Sequence, residues 1–71
     1  MGIAKVSISF YKAGFKVTEK GNNFTATKGS VSYNYNEEDG EMYYERLYGD
    51  EVDLVGSGEQ ELLDAIADED Q

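Results

Sequence analysis

Residues 31–47 read VSYNYNEEDGEMYYERL, and this stretch decides the fold class. Before Asp39-Gly40, Val31, Tyr33 and Tyr35 alternate with polar residues, and after it Met42 and Tyr44 occupy every second position. Strict alternation is typical of β-strands with one buried face, and an Asp-Gly pair between two such strands is a strong hairpin signal. The stretch therefore predicts two antiparallel strands joined by a tight turn.

The same alternation continues towards the N-terminus, where Val6, Ile8 and Phe10 predict the first strand. With two-residue loops between successive runs, the apolar residues of all these strands fall on one face of the sheet. A shift of one residue would turn a whole strand to the other face, so this agreement predicts an antiparallel meander. The turns are predicted at Ala13-Gly14, Gly21-Asn22, Lys28-Gly29 and Asp39-Gly40.

The next turn, at Gly49-Asp50, departs from this rule. A two-residue loop there would place Val52 and Leu54 on the wrong face. We therefore expect a three-residue loop with a bulge, or an irregular segment in place of a further strand.

A single helix is predicted from about Ser57 to Asp68, since Ser57 and Gln60 have the spacing of a capping box. Leu62 and Ile66 lie on one side of this helix and should pack on the sheet, because so short a helix is marginal alone in water. The receiving residues are expected to be Phe10, Val17, Ala26, Val31, Tyr33 and Tyr44. The predicted fold class is α+β: an antiparallel β-meander of four to six short strands within residues 3–55, with one C-terminal helix packed on one face. All 71 residues are expected to form one domain.

Charge is unevenly distributed along the chain, which has 6 basic and 15 acidic residues and a net charge of −9. Residues 1–35 carry five lysines and one glutamate, whereas residues 36–71 carry one arginine and fourteen acids. Such an asymmetry repels nucleic acid and anionic membranes and attracts basic protein surfaces. The alternative is that the acids only keep the protein soluble.

Several chemistries are excluded by composition, because the chain has no Cys or His. Disulfides, zinc-thiolate sites and His-dependent triads need these residue types. Acid clusters fall at predicted loop tips rather than in a cleft, which argues against a two-carboxylate hydrolase. Asn34, Asn36 and Glu38 alternate like the first ligands of an EF-hand loop, but Asp39 occupies the position that requires Gly. We expect no enzymatic activity, no cofactor and no metal.

No run of 18 apolar residues is present, and the N-terminus lacks the pattern of a signal peptide. We therefore expect a cytoplasmic protein with no membrane partner.

Tyrosines and acids concentrate between residues 37 and 53. Tyrosine rings among carboxylates are suited to binding Arg and Lys, through the ring face as well as through charge. We predict a partner-binding surface that meets a basic protein and is extended by the helix acids Glu61, Asp64 and Asp68. Its members are Glu37, Glu38, Asp39, Glu41, Tyr43, Glu45, Tyr48, Asp50, Glu51 and Asp53.

In overall character the chain resembles the small inhibitors that phages encode against host defence nucleases, such as anti-CRISPR proteins and anti-restriction DNA mimics. The resemblance covers size, acidity, a short antiparallel sheet with a helix, and the lack of catalytic residue types; no family motif is matched. It implies a non-catalytic inhibitor in the host cytoplasm. Its acidic half would occupy the basic groove of a nucleic-acid-binding effector complex without binding nucleic acid itself.

Two other classes of function stay open. An acidic immunity or antitoxin-like protein would use the same surface against one toxic nuclease. A small ligand-binding module would instead use Lys5, Lys16 and Lys20, which the predicted register places on the outer face of the first strands. A nucleic-acid binder of this kind should lose affinity steeply as salt rises.

Overall fold

The structure is a computed structural model and describes residues 2–69. Five strands form one antiparallel sheet whose spatial order follows the chain, with a helix before the first strand and another after the last. The α+β meander predicted from the sequence is confirmed, except that there are two helices. The elements are α1 (Gly2–Lys12), β1 (Lys16–Lys20), β2 (Asn23–Lys28), β3 (Val31–Glu38), β4 (Glu41–Tyr48), β5 (Glu51–Ser57) and α2 (Glu59–Glu69).

Both helices pack on the same face of the sheet, which we call the covered face. Helix α1 contacts β1 and β3, α2 contacts β4 and β5, and the helices contact each other. The shared core contains Phe10 from α1, Leu62 from α2 and Tyr33 from β3, all with no exposed surface. The opposite face carries no helix among residues 2–69, and we call it the open face.

The predicted first strand is wrong, because these residues form α1. Val6 and Phe10 are fully buried, but Ile8 between them is 56% exposed. A strand would place all three on one face, whereas a helix separates position i+2 from positions i and i+4. Ile3 and Ala13 extend the buried stripe at helical spacing and pack in the same core. The pattern was ambiguous because residues four apart share a face in both structures.

In the observed register of the central strands, the apolar side chains lie on the face that the sequence predicts. Val17 pairs with Ala26, as predicted. The next turn lies one residue later than predicted, so that Lys28 pairs with Val31. This change moves the pairing by two residues, which leaves the same side chains on the same face.

The hairpin at Asp39-Gly40 forms as predicted, with Tyr35 opposite Tyr44. Asp39 and Gly40 have φ angles of 54° and 80°. Positive φ at both central residues defines the turn type whose twist matches that of the flanking strands. The sequence signal and the backbone geometry therefore agree at this turn.

The bulge predicted near the β4–β5 turn does form, but inside the strands; the predicted three-residue loop is wrong, because the loop has two residues, and β5 is a regular strand on either side of the bulge. Leu47 pairs with Val52, but Arg46 pairs with Leu54, so that Asp53 is an extra residue in β5. After the bulge Leu54 lies on the covered face opposite Arg46, whereas Val52, before it, stays on the open face opposite Leu47. The bulge also places Asp53 and Leu54 together opposite Arg46.

The predicted capping box does not form at the start of α2. Ser57 stays in β5 as its last residue, and the helix begins at Glu59. Gly58 reverses the chain with a φ of 101°, and the Gln60 side chain donates a hydrogen bond to Asp64 at 3.0 Å instead of folding back. Strand pairing up to Ser57 therefore takes this residue away from the capping position.

The core is rich in aromatic rings, and its centre is Phe10. The centroid of the Phe10 ring lies 5.0–5.3 Å from those of Phe15, Tyr33 and Tyr35. Leu62 and Ile66 of α2 are buried, as predicted. Tyr33, Tyr35 and Tyr44 are buried, whereas Tyr11, Tyr43 and Tyr48 are exposed.

Candidate functional site

The charge asymmetry of the sequence becomes an asymmetry in space. Because strand order follows chain order, the lysines lie in α1, β1 and β2, and all the acids of residues 2–69 except Glu19 lie from the end of β3 through α2. Residues 36–69 contain thirteen acids and a single cation, Arg46. One side of the molecule therefore has a strongly negative potential.

The predicted partner-binding residues follow the length of β4 rather than converging at one point. The turns on either side of β4 lie at its opposite ends, and the strand has eight residues. At about 3.3 Å per residue, these turns are roughly 25 Å apart. Glu37, Glu38, Asp39 and Glu41 are exposed at one end, and Tyr48, Asp50 and Glu51 are exposed at the other.

Asp53, another predicted contact residue, is already held by Arg46. The guanidinium donates to both carboxylate oxygens, with Nε–Oδ1 at 3.0 Å and Nη2–Oδ2 at 2.9 Å. The hydrogen bond from Arg46 lowers the pKa of Asp53. Arg46 also bonds Glu69 through Nη1 at 2.9 Å, so two of the acids are compensated within the fold.

Two tyrosine hydroxyls on the covered face donate to carboxylates of α2. Tyr33 bonds Glu69 at 3.0 Å, and Tyr44 bonds Glu61 at 2.6 Å. Burial, followed by these bonds to carboxylates, raises the pKa of each tyrosine to about 12. Glu61, Asp64 and Asp68, predicted to extend the partner-binding surface, are all exposed, but Glu61 also accepts the bond that joins α2 to the sheet.

On the open face, a row of polar side chains crosses β2, β3 and β4. Thr25 pairs with Asn34, and Asn34 pairs with Glu45. The Thr25 hydroxyl donates to Asn34 Oδ1 at 2.9 Å, and Asn34 Nδ2 donates to Glu45 Oε2 at 3.1 Å. All three residues are half-buried, so the position of the Glu45 carboxylate is fixed from one side.

A groove of about 340 Å³ lies beside this row. Tyr43 and Asn36 are neighbours across β3 and β4 on one side of it, and Glu45 pairs with Val55 on the other. We call this feature the Tyr43–Glu45 groove. Its lining consists of Asn23, Asn34, Asn36, Tyr43, Tyr44, Glu45, Val55 and Gly56.

The sequence predicted Tyr43 and Glu45 but not their neighbours in the groove. Asn34 and Asn36 were considered only as calcium ligands, a role that Asp39 at the position requiring Gly argues against. Within residues 2–69, no group of three or more acidic side chains is placed to bind a metal ion. The alternation of the two asparagines with Tyr33 and Tyr35 did place them on the open face. Without the pairing partners, however, that spacing could not reveal the bond to Glu45.

The lysines considered for ligand binding are separated by the fold. Lys16 and Lys20 alternate on the open face of β1, but Lys5 lies in α1, on the other side of the sheet. Lys28 donates from Nζ to the carbonyl oxygen of Ala13 at 2.8 Å. The predicted grouping of Lys5 with Lys16 and Lys20 is therefore wrong, because α1 is not a strand.

Within residues 2–69, neither helix combines the length and apolar character that crossing a membrane requires. The chain matches no family model, no curated protein and no solved structure.

Proposed function

We propose that this protein is a non-catalytic inhibitor that uses its acidic side to occupy the basic, nucleic-acid-binding groove of a partner protein in the cytoplasm. The observation that carries the proposal is the spatial separation of charge, with thirteen acids against one cation in residues 36–69. A groove lined with Lys and Arg binds phosphates through the same attraction. Occupying the groove excludes nucleic acid without any chemical step.

The exposed acids at the β3–β4 hairpin form the leading part of this surface. Glu37, Glu38, Asp39 and Glu41 are all exposed, and none takes part in the bonds that hold α2 to the sheet. Attraction between such charges mainly increases the association rate and is screened beyond about 8 Å at physiological salt. Binding should therefore weaken as salt rises.

Two pairs of charge reversals test this proposal. Glu38→Lys with Glu41→Lys changes the hairpin, and Asp64→Lys with Asp68→Lys makes the same change in net charge on α2. All four residues are exposed, so both variants should fold. We expect the hairpin variant to lose capture of a nucleic-acid-binding protein from a lysate of the source cell, and the helix variant to retain most of it.

The captured protein must also release nucleic acid when the parent protein is added. Equal capture by the parent and the hairpin variant would contradict the proposal. Loss of capture through Lys16→Glu with Lys20→Glu alone would favour the ligand-binding module on the lysine side. Capture of a single toxic nuclease would favour the immunity or antitoxin class, which uses the same acidic surface.

A further inference from the structure

We propose that the Tyr43–Glu45 groove binds the guanidinium group of an arginine side chain presented by the basic partner. This inference rests on the proposed function, because it names the chemical group that the acidic side recognises. The groove lies on the open face of β4, in the middle of the predicted contact residues. It differs from the surrounding acids in being a concave site with fixed polar groups.

The first argument is the orientation of Glu45. Asn34 donates to one carboxylate oxygen and is itself held by Thr25 across the neighbouring strand. A carboxylate offers about four acceptor positions, so this single bond leaves capacity for an incoming donor. Fixing the carboxylate in advance lowers the entropy cost of binding.

The second argument is the chemistry of the lining. A guanidinium is planar, carries five N–H donors and stacks on aromatic rings, which suits a carboxylate beside a tyrosine. Tyr43 is 46% exposed, and Asn36 opposite it supplies an amide oxygen as a further acceptor. An ammonium group lacks this planar arrangement of N–H donors. A lysine side chain would therefore be attracted by the charge but could not form the paired hydrogen bonds.

The third argument comes from the covered face of the same sheet. There Arg46 meets the Asp53 carboxylate through two parallel bonds and the Glu69 carboxylate through a third. Tyr33 donates to that same Glu69 oxygen. The fold thus stabilises a guanidinium with carboxylates and a tyrosine internally, and the Tyr43–Glu45 groove presents the same residue types to solvent.

The field around the groove also selects against other ligands. Glu38 and Glu41 lie on the same face and repel phosphate, whereas Lys20 pairs with the lining residue Asn23 at the β1–β2 side of the groove. A neutral saccharide would gain nothing from this field. Of the ligands that a groove with one carboxylate, asparagine amides and an aromatic ring could hold, a cation with several donors fits best.

The test uses N-acetyl-arginine amide as the probe and N-acetyl-lysine amide as a control of equal charge. Backbone amide shifts are followed by NMR in low salt. We expect the arginine compound to shift the signals of Asn34, Asn36, Tyr43 and Glu45, with an affinity several-fold above that of the lysine compound. Equal binding of the two compounds would overturn the proposal.

Two glutamate variants separate the groove from the general negative field. Glu45→Gln and Glu41→Gln remove one charge each from the same face of β4, and Gln at position 45 can still accept the bond from Asn34. We expect Glu45→Gln to weaken the arginine compound about tenfold and Glu41→Gln less than twofold. Equal effects of the two variants would also overturn the proposal.

The same variants distinguish failure of this inference from failure of the proposed function. Partner capture that is lost with Glu38→Lys and Glu41→Lys but unchanged with Glu45→Gln and Tyr43→Leu would refute the groove as an arginine site in the complex. It would leave the acidic inhibitor intact. Partner capture that is unchanged by the hairpin reversals would refute the proposed inhibitor function. The arginine titration would still decide whether the groove binds a guanidinium.

Discussion

The covered and open faces of the sheet carry the same residue types with opposite consequences. On the covered face, Tyr44 donates to Glu61, and this pair helps to join α2 to the sheet. On the open face, Tyr43 and Glu45 come from the same strand but point away from the helices, and Tyr43 is 46% exposed. One strand therefore stabilises the fold with alternate residues and offers a surface with the others. The role of each residue in this strand therefore depends more on the face on which it lies than on its residue type.

The largest effect is expected from truncating the covered face at Phe10. Phe10→Ala removes a fully buried ring that packs on Phe15, Tyr33 and Tyr35, and should lower the free energy of unfolding by about 3–5 kcal/mol. Ile8→Ala is the matched control, because Ile8 lies two residues away and is 56% exposed. It should change stability by less than about 1 kcal/mol. Similar losses from both variants in chemical denaturation would mean that these residues form a strand and not α1.

Alkaline pH should weaken the covered face next. The pKa values of Tyr33 and Tyr44 are raised to about 12 in the folded protein, above the usual value of 10.0. The stability that these neutral hydroxyls contribute is complete below pH 10, and it is lost as the pH rises from 10 to 12. The slope is up to about 1.4 kcal/mol per pH unit for each tyrosine.

Denaturation of the parent and of Tyr44→Phe across this pH range measures the effect. The parent should lose stability more steeply, because the variant lacks one of the two hydroxyls. Lysine ionisation is common to both proteins and cancels in the difference. Parallel pH profiles would show that the Tyr44 hydroxyl is not buried against Glu61.

A smaller effect is expected at Gly56, where β5 passes under the Tyr44–Glu61 pair. A Cβ atom at this position would collide with the Glu61 carboxylate and the Tyr44 hydroxyl. Gly56→Ala should therefore lower the free energy of unfolding by about 1–3 kcal/mol through displacement of this pair. Ser57→Ala, one residue further along, should change it by less than about 0.5 kcal/mol, since Ser57 is exposed. Equal melting temperatures of the two variants would argue against the close approach.

The smallest effect is expected on the open face. Glu45→Gln keeps the shape of the side chain and an acceptor for Asn34, so its stability should stay within about 1 kcal/mol of the parent. Thermal melting at neutral pH measures this difference. A loss as large as that of Phe10→Ala would mean that the Thr25–Asn34–Glu45 row supports the fold, and would remove the contrast between the two faces.

The sequence by itself determined the meander from β1 to β4. Its turn residues permit the backbone angles of tight hairpins, and its alternation places Tyr33, Tyr35 and Tyr44 on one face whichever of two registers is adopted. The charge separation also followed from the sequence, because a meander keeps strands in chain order. Tyr43 and Glu45 could be assigned to an exposed acidic surface for the same reason.

Only the tertiary structure decided the nature of α1, the position of the bulge and the groove. Val6 and Phe10 suit a helix and a strand equally, and the choice depends on whether the sheet has a free apolar face for a helix to cover. The bulge at Asp53 coincides with its hydrogen bonds to Arg46, a contact between strands that no local pattern encodes. The bond from Asn34 to Glu45 likewise joins residues 11 positions apart, so it exists only once the register of β3 and β4 is set.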